Sequence, residues 1–197
     1  MYKDNKTKEL QNNKIQVHRV LRELFGQETT KFALLAIIIS AFSFAVLTLI
    51  LNWNIDISIL KKIALTLLAF DIGGGVVSNF TPGTNNYYAE SLRKRYLFIL
   101  FHLIQPSILI WIFPNDFPAI LGVWIFTLTS SIFVLNIKKN YNQRIVAISL
   151  LILCLMLSSF LNYSNTSSQI IMQFFSIKLI LAFSVNWTSS DKDETKT

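Results

Sequence analysis

The sequence predicts an all-α integral membrane protein: a six-transmembrane-helix bundle with cytoplasmic N- and C-termini and an amphipathic N-terminal helix. Hydrophobic residues make up 52% of the 197 residues and charged residues only 15%, whereas soluble domains carry about 25% charge. The apolar residues fall in long blocks, and about 20 helical residues suffice to cross a hydrocarbon core of roughly 30 Å. Lysine and arginine collect in alternate connections between the blocks, as they do in multi-pass membrane proteins.

Six apolar blocks are candidates for the transmembrane helices. They cover residues 32–51, 63–80, 96–113, 117–137, 145–161 and 170–185. The blocks are too long for barrel strands and lack a strict alternation of apolar and polar residues. Because lipid cannot satisfy backbone hydrogen bonds, we expect helices. The short linkers predict one transmembrane domain over 32–187, followed by a polar cytoplasmic tail over 188–197.

The distribution of basic residues predicts the orientation. They are concentrated before the first block, around Arg93 to Arg95 after the second, and at Lys138, Lys139 and Arg144 after the fourth. By the positive-inside tendency, these segments and both termini face the cytoplasm of a cell-membrane protein. Topology thereby accounts for the net charge of +7, and we expect no nucleic-acid partner.

Residues 1–31 form a cytoplasmic segment in which 8–25 have the pattern of an amphipathic helix. Apolar residues follow helical spacing at positions 17, 20, 21 and 24, and polar or basic residues repeat every fourth position at 14, 18 and 22. Gly26 is suited to end such a helix. Lying on the bilayer, this helix would bind anionic lipid headgroups. The alternative is a helix packed against the cytoplasmic ends of the bundle.

Three consecutive glycines, Gly73, Gly74 and Gly75, lie inside the second block. They do not belong to a nucleotide-binding loop, because no following Lys-Ser or Lys-Thr is present. Small residues allow helices to pack closely in lipid. Alternatively, the glycines break the helix beside Asp71 and expose backbone groups to a ligand.

Charged and polar side chains at matching depth predict an intramembrane cluster. Asp71 and Gln105 each lie nine residues from the predicted cytoplasmic end of their block, and Lys178 lies nine residues before Trp187 at the cytoplasmic end of the sixth block. Nine residues correspond to about 13 Å at 1.5 Å per residue. His102 shares the face of Gln105, one turn nearer the cytoplasm. Asp71 and Lys178 are expected to pair, because an isolated charge at this depth is costly. Pro106 is expected to kink the third block.

The predicted binding site consists of this cluster, the three glycines and Asn79. The alternative is that the Asp71–Lys178 pair only specifies the fold. A polar loop on the cytoplasmic side is a second candidate, because "TPGT" predicts a tight turn and hydrogen-bonding side chains follow it. Its candidate residues are Thr81, Tyr87, Tyr88, Glu90, Arg93 and Arg95. Such a loop would bind a small solute or a lipid headgroup, and its arginines suit phosphate. The alternative is an ordinary positive-inside loop with interfacial tyrosines.

The sequence contains no HExxH zinc motif and no GxSxG nucleophile elbow. We therefore predict no metal, no cofactor and no assigned catalytic residue. The leading hypothesis is that the protein binds or transports a small solute or ion through an intramembrane polar cavity. One alternative is a small membrane enzyme that acts on a lipid or prenyl substrate, with Asp71 and His102 as acid–base groups. Another is a non-catalytic accessory subunit of a membrane complex.

Overall fold

The structure, a computed structural model, describes residues 14–188. This part of the chain contains six helices that are long and apolar enough to cross a membrane. They are Lys31–Leu51, Ile59–Phe80, Leu92–Ile112, Pro114–Leu135, Asn140–Phe160 and Thr166–Phe183. Each helix overlaps one of the predicted apolar blocks, so the prediction of an all-α, multi-pass membrane bundle is confirmed. The predicted tail lies outside the described residues, apart from Thr188.

The N-terminal segment differs from the prediction. Strand β1 (Lys14–Gln16) pairs antiparallel with strand β2 (Glu28–Thr30). Between them lie a single 3₁₀ turn and the four-residue helix α1 (Arg22–Phe25). The predicted amphipathic helix is therefore wrong over 14–21, and residues 8–13 lie outside the described part of the chain. The predicted binding of anionic headgroups depended on this helix, which is absent over 14–21.

Strand pairing explains why residues 14–21 do not form the helix that their spacing predicted. The backbone N–H of Val17 donates to Gln27 O at 3.0 Å, so this backbone is satisfied across the hairpin instead of along a helix. Gly26 turns the chain with φ of +77°, a conformation that glycine adopts without strain. Of the apolar residues in the pattern, only Val17 is buried, and Val20 is 78% exposed. Tertiary contacts thus override a weak local preference.

The first two long helices pack closely through the glycines. Helix α2 (Lys31–Leu51) lies along helix α3 (Ile59–Phe80), which continues unbroken through the glycine run. A Cβ added at Gly73 would lie 2.6 Å from Phe44 Cβ, and one at Gly74 would lie 3.1 Å from Ala41 Cβ. The close-packing interpretation is confirmed for these two glycines, and the alternative of a broken helix is wrong.

The "TPGT" motif begins a helix instead of forming a tight turn. Helix α4 (Pro82–Ala89) has Pro82 in its first turn, and the side chain of Thr81 accepts a hydrogen bond from Thr84 N. Proline is favoured at this position because the first N–H groups of a helix have no intrahelical partner. The prediction of a turn is therefore wrong.

The third span is interrupted near its centre. Helix α5 (Leu92–Phe101) ends at Phe101, and helix α6 (Ile104–Ile112) begins after His102 and Leu103. Pro106 has no N–H to offer to the carbonyl of His102, which is four residues earlier, so the regular helix cannot continue there. The helix is therefore interrupted where the kink was predicted.

The remaining spans complete the bundle. Helix α7 (Phe117–Leu135) follows a 3₁₀ turn, and helix α8 (Asn140–Phe160) follows α7. Helix α9 (Thr166–Ser176) passes directly into a π-helical segment, Ile177–Phe183. The core lies where α3, α6, α7, α8 and α9 meet. The exposed apolar side chains of α2, such as Phe42 at 58%, form a surface suited to lipid.

Both ends of the described chain meet at the same end of the bundle. Leu24 O accepts a hydrogen bond from Thr84 Oγ1 at 3.1 Å, and Trp187 N donates to Asn85 Oδ1 at 3.0 Å. The basic residues near Arg93 and Lys138 belong to connections at this end, which we call the basic end.

Candidate functional site

An ion pair joins α3 to the π-helical segment. Lys178 Nζ donates to Asp71 Oδ2 at 3.0 Å. The two partners differ in exposure: the lysine side chain is 3% exposed and the aspartate side chain is 48% exposed. The predicted pairing of Asp71 with Lys178 is confirmed.

Helix geometry explains why these two residues meet. Asp71 lies nine residues before the end of α3 at Phe80, which is about 13 Å below the basic end. Lys178 is the second residue of the π-helical segment. In this segment Ser184 N donates to Leu179 O at 3.1 Å, five residues earlier. The wider turn changes the angular position of the following side chains, and π-helical turns are frequent at functional sites.

Gly75 provides the space that the lysine occupies. A Cβ added at Gly75 would collide with Lys178 Cε and would lie 2.7 Å from Nζ. Gly75 is four residues after Asp71, so both lie on one face of α3. Gly75 therefore leaves space for an ammonium group, whereas Gly73 and Gly74 allow α2 to pack closely on α3. The signal for this role in the sequence is the four-residue spacing between Asp71 and Gly75.

Two further polar residues join the pair. Gln105 Nε2 donates to the same Asp71 Oδ2. The other end of this amide, Oε1, is buried without a hydrogen-bond partner among residues 14–188. Asn79 Nδ2 donates to the carbonyl of Lys178 at 3.4 Å and so holds the π-helical segment against α3.

His102 lies near the pair without bonding to it. Its Nδ1 is 2.7 Å from Phe98 O, so this nitrogen donates to the carbonyl. The imidazole also packs on the Phe98 ring, with 4.0 Å between ring centroids. In the neutral imidazole this arrangement leaves Nε2 as an acceptor. Nε2 has no hydrogen-bond partner within the described part of the chain.

The pair lies in the wall of a cavity of about 210 Å³, which we call the Asp71 cavity. Residues of α1, α2, α3 and α5 line it together with Lys178. The predicted site residues in the lining are Asp71, Gly74, Gly75, Asn79, His102 and Lys178. Gly73 and Gln105 lie outside the lining, although Gln105 contacts Asp71.

The basic end of the cavity is covered by residues that the sequence analysis did not include. Glu23, Leu24 and Phe25 line the cavity there. The hydroxyl of Ser78 donates to Leu24 O, and Tyr88 OH donates to Glu23 O at 3.2 Å. Burial raises the pKa of the Tyr88 hydroxyl, which keeps this donor protonated. No periodicity in the sequence identifies such backbone contacts.

The candidate loop residues do not form one polar surface. Thr81, Tyr87 and Glu90 line a second cavity of about 330 Å³ between α4 and the N-terminal hairpin. Arg95 is buried and its Nε donates to Tyr88 O at 3.3 Å. Arg93 is exposed, and neither arginine lines the second cavity.

The Asp71 cavity joins a charge-neutral ion pair to apolar walls formed by Ile37, Ile38, Phe70 and Phe98. Within residues 14–188 there is no group of three or more histidine, cysteine, aspartate or glutamate side chains that could hold a metal ion. The chain matches no protein-family model, no curated protein and no solved structure.

Proposed function

We propose that this membrane protein binds a small solute in the Asp71 cavity and thereby serves in its passage through the membrane. The observation that carries the proposal is the half-exposed carboxylate of Asp71, paired with a buried ammonium group in the wall of a cavity. A charged side chain at this depth costs about 2.5–3.5 kcal/mol even on the lenient scale. The exposure of this carboxylate leaves it within reach of a solute in the cavity.

The positive-inside tendency supports a basic end that faces the cytoplasm. The Asp71 cavity then lies in the cytoplasmic half of the membrane, under the N-terminal segment. The accessory-subunit alternative requires a fully packed interior, and a cavity of about 210 Å³ beside an ion pair argues against it. The enzyme alternative retains one supporting observation, because Asp71 and His102 line the same cavity.

A small carbodiimide tests whether solutes reach the pair. Diisopropylcarbodiimide activates a carboxyl group, and an adjacent amine then displaces the activated ester to form an amide, with the urea as leaving group. Because Lys178 Nζ is 3.0 Å from Asp71 Oδ2, we expect an internal amide between these residues, detected by mass spectrometry as a cross-linked peptide pair.

Asp116 is the matched control, because its side chain is fully buried and its Oδ1 accepts a hydrogen bond from Ser164 N at 2.6 Å. We expect no modification of Asp116 under conditions that cross-link Asp71. If neither carboxyl group reacts in the folded protein, Asp71 is out of reach and the proposed binding function fails. A solute that binds in the cavity would slow the cross-linking reaction.

A further inference from the structure

The N-terminal segment covers the basic end of the Asp71 cavity. Leu24 O accepts hydrogen bonds from the hydroxyls of Ser78 and Thr84. Behind this contact, Gly26 packs so tightly on the backbone of Gly83 that an added Cβ would collide with it. The N-terminal segment is thus fixed to α3 and α4 by both hydrogen bonds and close packing.

The open side of the cavity faces the region that lipid occupies. Ile38 is 41% exposed and Phe70 is 39% exposed, and both line the cavity. The lining comes from α2 on one side and from Phe98 and His102 on the other. Among the described residues, α2 packs extensively on α3 but not on α5. The gap between α2 and α5 is therefore a lateral opening at the depth of Asp71.

The charges at the depth of Asp71 favour an uncharged ligand. The remaining charged side chain of the lining, Glu23, is exposed at the basic end. Asp71 and Lys178 neutralise each other across 3.0 Å. A cationic or anionic ligand would leave an unbalanced charge in a low-dielectric region, which is costly. Displacing Lys178 from the pair would also leave a buried ammonium group without its acceptor.

The free hydrogen-bonding positions favour a ligand that donates a hydrogen bond. Both donors to Asp71, Lys178 Nζ and Gln105 Nε2, use Oδ2. Oδ1 accepts no hydrogen bond from any residue in the range 14–188, and His102 Nε2 also lacks a donor there. A hydroxyl group satisfies such an acceptor without adding charge.

Resting on the proposed binding function, we infer that the ligand is an uncharged, membrane-dissolved amphiphile with a terminal hydroxyl group, which enters between α2 and α5. The hydroxyl donates to Asp71 Oδ1. A volume of about 210 Å³ is smaller than the roughly 300–1,000 Å³ of pockets that enclose a drug-sized ligand. The cavity therefore holds the polar end and the first carbons, while the remaining chain extends through the opening into the bilayer.

Photolabelling of the full chain in liposomes tests this inference. The probes are dodecan-1-ol and its methyl ether, each with one diazirine at the third carbon from the oxygen. We expect the alcohol to label residues of the cavity lining, with competition by unlabelled dodecan-1-ol. The ether lacks the donor, so its labelling should be about tenfold weaker, as expected from the loss of one hydrogen bond to a charged acceptor.

Two variants examine the route and the acceptor. Ile38→Trp narrows the opening and should reduce labelling, whereas Ile39→Trp is the control because Ile39 is 55% exposed on the same helix but lies outside the cavity lining. The double variant Asp71→Leu with Lys178→Met removes both charges and should abolish the preference for the alcohol. If that double variant does not fold, the comparison of Ile38→Trp with Ile39→Trp still decides the route.

Equal labelling by the alcohol and the ether, or equal effects of the two tryptophan variants, would overturn the inference. The outcomes distinguish the inference about the alcohol from the proposed binding function. If the carbodiimide cross-links Asp71 to Lys178 but labelling is not specific for the alcohol, the inference fails and the cavity binds another solute. Failure of both experiments refutes both proposals.

Discussion

Removing one partner of the Asp71–Lys178 pair should destabilise the protein unequally, because the two side chains differ in burial. Asp71→Asn leaves a lysine side chain that is 3% exposed without a counter-charge. Breaking a buried pair in this way costs about 3–5 kcal/mol. With about 2–4 °C of Tm per kcal/mol for a chain of this size, we expect Asp71→Asn to lower the Tm by about 6–20 °C.

Lys178→Met should have a smaller effect. It leaves Asp71, whose side chain is 48% exposed and which still accepts a hydrogen bond from Gln105. A half-exposed charge loses less when its partner is removed, so we expect a cost of about 1–2 kcal/mol. The double variant removes both charges and should cost less than the sum of the single variants by about 2 kcal/mol.

Thermal unfolding in one detergent, followed by intrinsic fluorescence at a fixed scan rate, measures these differences. Lys61→Met is the control for loss of a lysine, because Lys61 lies at the opposite end of the bundle and donates to Ile112 O at 3.3 Å. Strictly additive losses in the double variant would show that the two residues do not interact. A larger loss for Lys178→Met than for Asp71→Asn would refute the argument from burial.

Three further predictions address space, charge and topology. Gly75→Ala should cost about 1–3 kcal/mol of stability by overpacking Lys178, but it should cost little in a Lys178→Ala background. Gly122→Ala is the control, because a Cβ there would be 3.6 Å from Leu161. This control variant should be neutral or stabilising in the same unfolding assay. Hydrogen bonds from Lys14 and Gln16 hold the pKa of Glu28 below its ordinary value of 4.5. The hairpin contact is therefore fully present above pH 4.5 and is lost as the pH falls through the lower pKa that Glu28 has in the folded protein. An NMR titration, with Lys14→Met as control, would detect this loss. In a Cys154→Ala background, cysteines at Asn115 and Ser164 should react with an impermeant reagent outside intact cells and one at Lys139 should not. The opposite pattern would reverse the orientation.

Depth could be predicted from the sequence because a helix rises by a fixed distance per residue. Asp71, Gln105 and Lys178 were matched by counting residues from the block ends, and the structure brings these three together. The break before Pro106 was also predictable, because proline removes a particular hydrogen bond. These inferences depend on regular helix geometry. A helix is required in lipid because every backbone N–H and C=O group must form a hydrogen bond within the protein.

The features that escaped the sequence analysis depend on contacts between distant segments. The hairpin of β1 and β2 forms because residues 14–16 pair with residues 28–30, and helical spacing over so short a segment does not exclude that pairing. The cover over the cavity depends on Leu24 O meeting Ser78 and Thr84. Backbone carbonyls occur at every residue, so their role as acceptors cannot be recognised before the fold is known.

The π-helical segment and Gly75 together explain why a lysine can be buried in this bundle. Lys178 is the second residue of the segment Ile177–Phe183. Its ammonium group lies over Gly75 of α3, where an added Cβ would collide with the lysine side chain. Asp71, one turn earlier, supplies the counter-charge on the same face. The ammonium group fills the space beside Gly75 and the lysine side chain is 3% exposed, whereas the Asp71 side chain is 48% exposed and is the more accessible partner in the cavity wall. Hydrogen-bond donors should therefore bind here in preference to acceptors.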